Sequence, residues 1–244
     1  MRVIIIGANS AIAHEVSRCF AADGAALFLV ARSEEKLAVA AQDLKVRGAS
    51  HVVSMAADLN QLGEHEALIN SAYQALGGLD AALIAHGTLG DQPTLQQDVQ
   101  ATLDNLTTNA ISYISLLTLL ANRFEAQKSG CIAVISSVAG DRGRASNYVY
   151  GTAKAAVTTF ASGLRNRLQK VGVNVVTIKP GFVDTPMTAN MKKNALYAKP
   201  NVVGKRIYQA MLKGEDIVYT PAIWMLIMLI IRNIPERIFK KLSL

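Results

Sequence analysis

Seven short runs rich in aliphatic and β-branched residues recur along the chain, at residues 3–6, 26–30, 51–55, 81–85, 131–135, 173–178 and 217–219. Longer segments of helical pattern separate them, beginning near Ser10, Ser33, Gln61, Gln97, Asn147 and Pro200. This alternation is the strongest constraint on the fold. A helix between two strands acts as a crossover, so the strands pair in parallel, the connections are right-handed, and helices cover both faces of the sheet. The expected architecture is a doubly wound α/β fold built on a mostly parallel seven-stranded sheet. It spans residues 1–220, and residues 221–244 form an apolar and basic extension.

The chain has 244 residues, of which 51% are hydrophobic and only 18% charged, so it can bury a substantial core and is not a disordered tail. The net charge of +7 comes from 25 basic residues spread along the chain without a nucleic-acid motif, so no nucleic-acid partner is expected. An anionic small molecule or a membrane surface accounts for the charge equally well. Two cysteines, Cys19 and Cys131, fit neither a disulfide framework nor a metal cluster, and the first residues read straight into a strand. A cytoplasmic location and no metal are expected.

The first strand runs into Gly7-Ala8-Asn9-Ser10-Ala11-Ile12-Ala13, which opens a helix. Backbone N–H groups and a helix N-terminus in that setting receive a pyrophosphate. Ser10 either caps the helix or bonds a phosphate. The second strand ends at Arg32, where an acid would bind a ribose 2′-hydroxyl; an arginine instead pairs with a 2′-phosphate, which favours NADPH, with NADH as the alternative. The competing reading of Arg32 is a charge at the start of a solvated helix. After the third strand, Asp58 in Ala57-Asp58-Leu59 either accepts from an adenine amine or caps the next helix.

Ser137 follows the apolar run 131–135, Tyr150 stands thirteen residues further on, and Lys154 four beyond that. Residues four apart on a helix share a face, so Tyr150 and Lys154 sit side by side. One positive charge at about 6 Å, with an effective dielectric of about 20, favours phenolate by roughly 2.8 kcal/mol, or about two pH units. The expectation is therefore a phenol drawn down toward a useful range for proton transfer. A Tyr–Lys pair alone also suits a plain surface contact; the serine spacing and the first turn favour hydride-transfer chemistry.

Together these residues resemble the short-chain dehydrogenase/reductase family over about residues 1–190, a Rossmann fold. The resemblance implies a ketone reductase in which Asn109, Ser137, Tyr150 and Lys154 are catalytic, with Asn109 holding a water that relays protons to Lys154. It implies dinucleotide contacts from Gly7, Asn9, Ser10, Ile12, Arg32, Asp58, Leu59, Ala85, Gly87, Tyr150, Lys154, Pro180, Gly181, Val183 and Thr185. Val183 and Thr185 would meet the nicotinamide carboxamide. His86 replaces a small residue of the family pattern and is assigned no catalytic duty. Ala11 and Ala13 replace two glycines; a methyl at position 11 crowds the pyrophosphate or strains the backbone by about 1 kcal/mol, whereas Ala13 preserves close helix–strand packing. Homodimers or homotetramers built on the helices after strands four and five are implied as well.

The runs 85–91, 136–142 and 148–151, with Pro221-Ala222 and residues 234–242, are similar to a narrower group within the family, reductases of polyprenylphosphoryl 2-keto-pentoses. That likeness implies a lipid-linked ketone substrate, an arabinose product for the cell envelope and a flavin-dependent oxidase partner. The alternatives are a reductase of another lipid-like ketone, such as a 3-oxoacyl chain, and a nucleotide-sensing module without catalysis. Residues 222–231 are ten uninterrupted apolar residues, too few to span a bilayer. Ile234, Ile238, Phe239 and Leu242 follow at helical spacing among Arg232, Arg237, Lys240 and Lys241, a pattern of a helix in a membrane interface or of one packed on its own domain. The first reading implies a peripheral position on the inner face of the membrane.

Overall fold

A computed structural model describes residues 1–242, so residues 243 and 244 of the extension lie outside the described residues. The strands are β1 (Arg2–Ile6), β2 (Ala26–Ala31), β3 (His51–Ala56), β4 (Ala81–Ile84), β5 (Gly130–Ile135), β6 (Val173–Pro180) and β7 (Ile217–Thr220). They form one sheet in the order β3-β2-β1-β4-β5-β6-β7, and every neighbouring pair is parallel. The order reverses between β1 and β4, which opens a crevice beyond their C-terminal ends, the usual ligand position in such sheets.

Val3, Ile4, Ile5 and Ile6 are all fully buried because helices cover both faces. Val3 and Ile5 join the core beneath α1 (Ala11–Ala22), α2 (Glu34–Val46) and α8 (Pro200–Lys213), while Ile4 and Ile6 join the opposite core. That second layer contains α3 (His65–Leu76), α6 (Ser112–Gln127) and α7 (Tyr148–Leu168). Ser33 caps α2 by accepting from Lys36 N at 3.3 Å, which leaves Arg32 outside the helix and exposed.

Two helix starts differ from the sequence reading. The segment near Gln61 enters through a 3-10 turn, Leu62–Glu64, and α3 begins only at His65. Near Gln97 there are two helices: α4 (Gln92–Leu95), capped by Asp91, and α5 (Val99–Leu106), whose N-cap Asp98 accepts from Gln100 N at 2.8 Å and Ala101 N at 3.1 Å. A wider π-helical turn, Thr107–Ile111, joins α5 to α6. Such turns carry an extra residue and turn side chains off the regular helical faces.

The extension folds as α9 (Ile223–Asn233) and α10 (Glu236–Phe239). Trp224 and Met228 of α9 pack with Val138, next to Ser137, and the indole occupies the space a side chain at Gly181 would need. The outer face of α9 is bare: Leu226 and Leu229 are 54% and 60% exposed. No helix among the described residues is long and apolar enough to cross a membrane.

Candidate active site

The crevice begins at the turn after β1. Gly7 N and Ala8 N donate to Val30 O at 2.8 and 2.9 Å, locking the turn onto β2. Gly7 has φ +90°, and a Cβ there would fall 2.5 Å from His86 N, so this position requires glycine. Ala13 is buried without exposure, as close helix–strand packing needs. Ser10 makes no side-chain cap to α1, so the capping reading of that residue does not hold. Asn9 is exposed, and Ser10, Ala11 and Ile12 are half-buried. Asp58 does not cap the next helix either; its carboxylate accepts from Asn60 N at 3.1 Å in a local turn, with Leu59 buried beside it. A backbone cradle that a Cβ would fill, followed by an uncapped serine at a helix N-terminus and an exposed arginine, suits a dinucleotide phosphate chain.

On the other side of the switch point, β5 delivers Ser137 and α7 carries Tyr150 and Lys154. Two contacts draw strand and helix together. Ser136 Oγ donates to Lys154 O at 2.9 Å and lies 2.6 Å from Thr158 Oγ1. Gly140 packs so closely that a Cβ would lie 2.7 Å from Ala155 N. This approach brings the Ser137 hydroxyl to the Tyr150 phenol, where it favours the ionised form. Ser137 Oγ also accepts from Ala139 N at 3.1 Å, which fixes its rotamer.

Lys154 is 2% exposed, donates from Nζ to Ile135 O at 3.0 Å, and sits 5.6 Å from the centre of the Tyr150 ring and 4.3 Å from that of Tyr113. The side-by-side placement thus matches the helical spacing, but its electrostatic consequence differs from the expectation. Burial pushes the Tyr150 phenol up to about 12, with the Ser137 hydrogen bond drawing it partly back, and pulls Lys154 down to about 7. Desolvation outweighs the help from Ser137, so the phenol moves in the direction opposite to the one expected from a neighbouring cation. A phenol in this state is protonated at neutral pH, the form from which a proton donor must start.

Asn109 lies in the π-helical turn and is fully buried. Its Nδ2 donates to Thr88 O at 2.8 Å and Asn105 O at 3.0 Å, and its Oδ1 accepts from Thr88 N at 3.0 Å. A Cβ built on Gly87 would lie 2.5 Å from Asn109 Oδ1 and 3.8 Å from Lys154 Nζ, so both groups border the same side of Gly87. Ala85 is buried at the end of β4. His86 stacks on Tyr113 with centroids 4.3 Å apart, and its Nε2 lies 2.7 Å from Ser112 Oγ. Burial and the Lys154 charge keep its imidazole well below the usual range.

Pro180 ends β6, and Gly181 leads on to Val183, which is buried and bridged to Ala198, and to Thr185, whose N–H donates to Thr188 Oγ1 at 3.3 Å. The structure thus gathers Ser137, Tyr150, Lys154, Asn109 and Gly87 at the C-terminal edge of the sheet. Several residues there escaped the sequence reading. Asp141 and Lys179 form an ion pair at 2.5 Å with side chains 3% and 6% exposed, and Tyr219 donates to Asp141 at 2.7 Å. This cluster ties the segment after Ser137 to β6 and β7. Arg142, the next residue, points the other way: its guanidinium donates to Ile231 O and Ile234 O, both at 2.6 Å, pairs with Glu236 at 2.8 Å, and lies 3.6 Å from the centre of the Phe239 ring. A single lysine closing an apolar run and an aspartate–arginine pair after a glycine were the signals available.

The family profile described as short chain dehydrogenase matches residues 1–196. An uncharacterized oxidoreductase of Mycobacterium tuberculosis is 35% identical over 240 residues, covering 98% of this chain and 96% of that protein. A Streptomyces violaceoruber protein, named as a candidate ketoacyl reductase of the granaticin polyketide synthase, is 31% identical over 78% of this chain and 71% of its own length. The crystal structure of levodione reductase superposes with a TM-score of 0.81 at 21% identity, over 89% of this chain and 95% of that one, which speaks to the fold. The chain therefore belongs to the short-chain dehydrogenase family and is an oxidoreductase.

Proposed function

We propose that the protein reduces a ketone with NADPH, and that the ketone is a polyprenylphosphoryl 2-keto-pentose converted to its arabinose epimer, the reaction of a decaprenylphosphoryl-2-keto-pentose reductase. The observation that carries the reaction type is the convergence of Ser137, Tyr150 and Lys154 beside a dinucleotide-shaped turn. A reduced nicotinamide, when bound, supplies the hydride that reaches the carbonyl carbon. Tyr150, protonated and half-buried, gives its proton to the carbonyl oxygen, and the Ser137 hydroxyl holds that oxygen and steadies the phenol. Lys154 binds the nicotinamide ribose and stabilises the phenolate left behind; Asn109 holds the water that returns a proton toward Lys154. The balance is ketone plus NADPH plus a proton, giving alcohol plus NADP⁺.

The cofactor contacts assigned from Gly7 to Thr185 belong to this reading. Arg32 free of the helix supports a 2′-phosphate, so Arg32→Ala is expected to raise the KM for NADPH about tenfold or more while leaving that for NADH within about twofold. The likeness of residues 85–91, 136–142 and 234–242 to keto-pentose reductases supports the substrate. In that reading a flavin-dependent oxidase supplies the 2-keto sugar, the protein lies peripherally on the inner face of the cytoplasmic membrane through residues 222–244, and it forms a homodimer or homotetramer. The ketoacyl reductase relative favours a 3-oxoacyl chain as the second reading. Coupled turnover of a polyprenylphosphoryl ribose with the oxidase decides between them: arabinose formed supports the first, and reduction of only a 3-oxoacyl thioester supports the second.

A further inference from the structure

The segment between Ser137 and Tyr150 does more than connect them. Gly143, Arg144, Ala145 and Tyr148 form one wall of a groove of about 290 Å³, and the extension forms the other through Glu236, Phe239, Lys240 and Leu242. We propose that this groove is a subsite for a phosphate ester carrying a long hydrocarbon, with Arg144 and Lys240 holding the phosphate and the aromatic and aliphatic walls receiving the chain. It rests on, and deepens, the lipid-linked reading of the substrate.

Three observations converge on it. Arg144 Nε is buried without a hydrogen-bond partner, and burial draws the guanidinium below its ordinary range despite the pull of Asp141. Buried donors are nearly always paired, and a guanidinium presents its donors in the fork that fits phosphate. Charge is the second. Among the described residues of the wall the one acid is Glu236, and Arg142 engages it at 2.8 Å, leaving Lys240 and Arg144 as the described charges without such a partner in the wall. The third is the apolar lining: Phe239 forms a buried floor, while Tyr148 and Leu242 are each 43% exposed at the rim. Anion and hydrocarbon are recognised within one concavity.

The groove is also held in place. Arg142 caps the end of α9 through two carbonyls, so the wall built by α10 does not depend on a free tail. Tyr148 precedes Tyr150 by two positions on α7, about 200° around the helix, so the groove neighbours the catalytic face without being part of it. A remote group bound there serves to orient the reacting end of the substrate.

The test is calorimetric titration of the full chain with dodecyl phosphate below its micellar concentration. Inorganic phosphate and dodecyl maltoside are the comparison probes. Saturable binding at one site is expected, with both comparison probes at least tenfold weaker. Arg144→Gln should weaken the alkyl phosphate tenfold or more and Lys240→Gln severalfold. Lys240 is exposed, so its variant tests the site even where Arg144→Gln fails to fold. Unchanged affinity in Lys240→Gln, or maltoside binding as tightly as phosphate ester, overturns the subsite. Inorganic phosphate binding as tightly as the ester overturns the role of the chain. Binding that depends on Arg144 without reduction of the keto-pentose leaves the subsite standing and removes the substrate reading; reduction without such binding does the reverse.

Discussion

On the β1–β3 side of the crevice, the turn after β1 is fixed by main-chain hydrogen bonds from Gly7 and Ala8 to Val30, and the side chains of residues 9–12 are half-buried or exposed. On the β5–β7 side, the segment 137–142 is pinned by charged side chains, inward through Asp141 to Lys179 and Tyr219 and outward through Arg142 to the extension. The first half is a backbone device whose requirements are met by one glycine and small neighbours. The second depends on particular side chains in particular states. Apart from Gly7 and the proposed phosphate contact of Arg32, substitutions should therefore cost little on the first side and a great deal on the second.

The largest effect is expected at Tyr150. Tyr150→Phe removes the proton donor but keeps the ring that packs beside Lys154, so kcat for ketone reduction should fall by about 10²–10⁴-fold while nucleotide affinity changes little. Fluorescence titration with NADPH and steady-state turnover measure the two separately. Turnover within about tenfold of the parent enzyme would assign the proton to another group.

Asp141 comes next. Asp141→Ala leaves the Lys179 ammonium buried without its partner, and removing one member of such a pair costs roughly 3–5 kcal/mol. Replacing both with Leu and Met should recover most of that loss, because the pair as a whole gains little over apolar packing. Urea denaturation of the single and double variants reads the coupling. If Asp141→Ala costs no more than an exposed substitution, the charged anchor is not what holds this side of the crevice.

The contrast also explains what was legible beforehand. Every strand and the Ser137, Tyr150, Lys154 arrangement could be read because periodicity and local spacing encode them. The anchors could not: Lys179 and Asp141 are 38 residues apart, Tyr219 and Asp141 78, and Arg142 reaches Ile231 across 89. The tail was read as either membrane-bound or packed. One face of α9 covers Val138 while the other is bare, a division that an apolar run without polar interruption does not reveal. Spacing placed Lys154 beside Tyr150 but carried no information about burial, and burial reversed the expected shift of the phenol.

That reversal yields a pH test with two opposite signs. Lys154 sits near about 7 when folded, against 10.5 for an ordinary lysine. The unfolded chain then holds more protons between these values, so stability rises as pH climbs from about 7 toward 10.5 and the penalty of burying the charge is fully present below 7. If the ammonium is the working form, kcat/KM for reduction falls severalfold across the same interval. Denaturation and initial rates measured at pH 6.5–9.5 should diverge, and Lys154→Met should flatten the stability trend. Parallel curves would mean that Lys154 remains charged throughout.

The smallest effect should come from Ala11→Gly, which restores a glycine that the family turn usually has. Because the turn is locked by Gly7 and Ala8 before the helix begins, the Ala11 methyl governs only how closely a phosphate approaches the first turn of α1. The added glycine costs the helix up to about 1 kcal/mol of backbone entropy. Nucleotide affinity should move by less than about threefold and the melting temperature should drop by a few degrees. A gain in affinity of tenfold or more would show that the Ala11 side chain limits the site, and the account of the first turn as a backbone-built cradle would then fail where it is simplest to test.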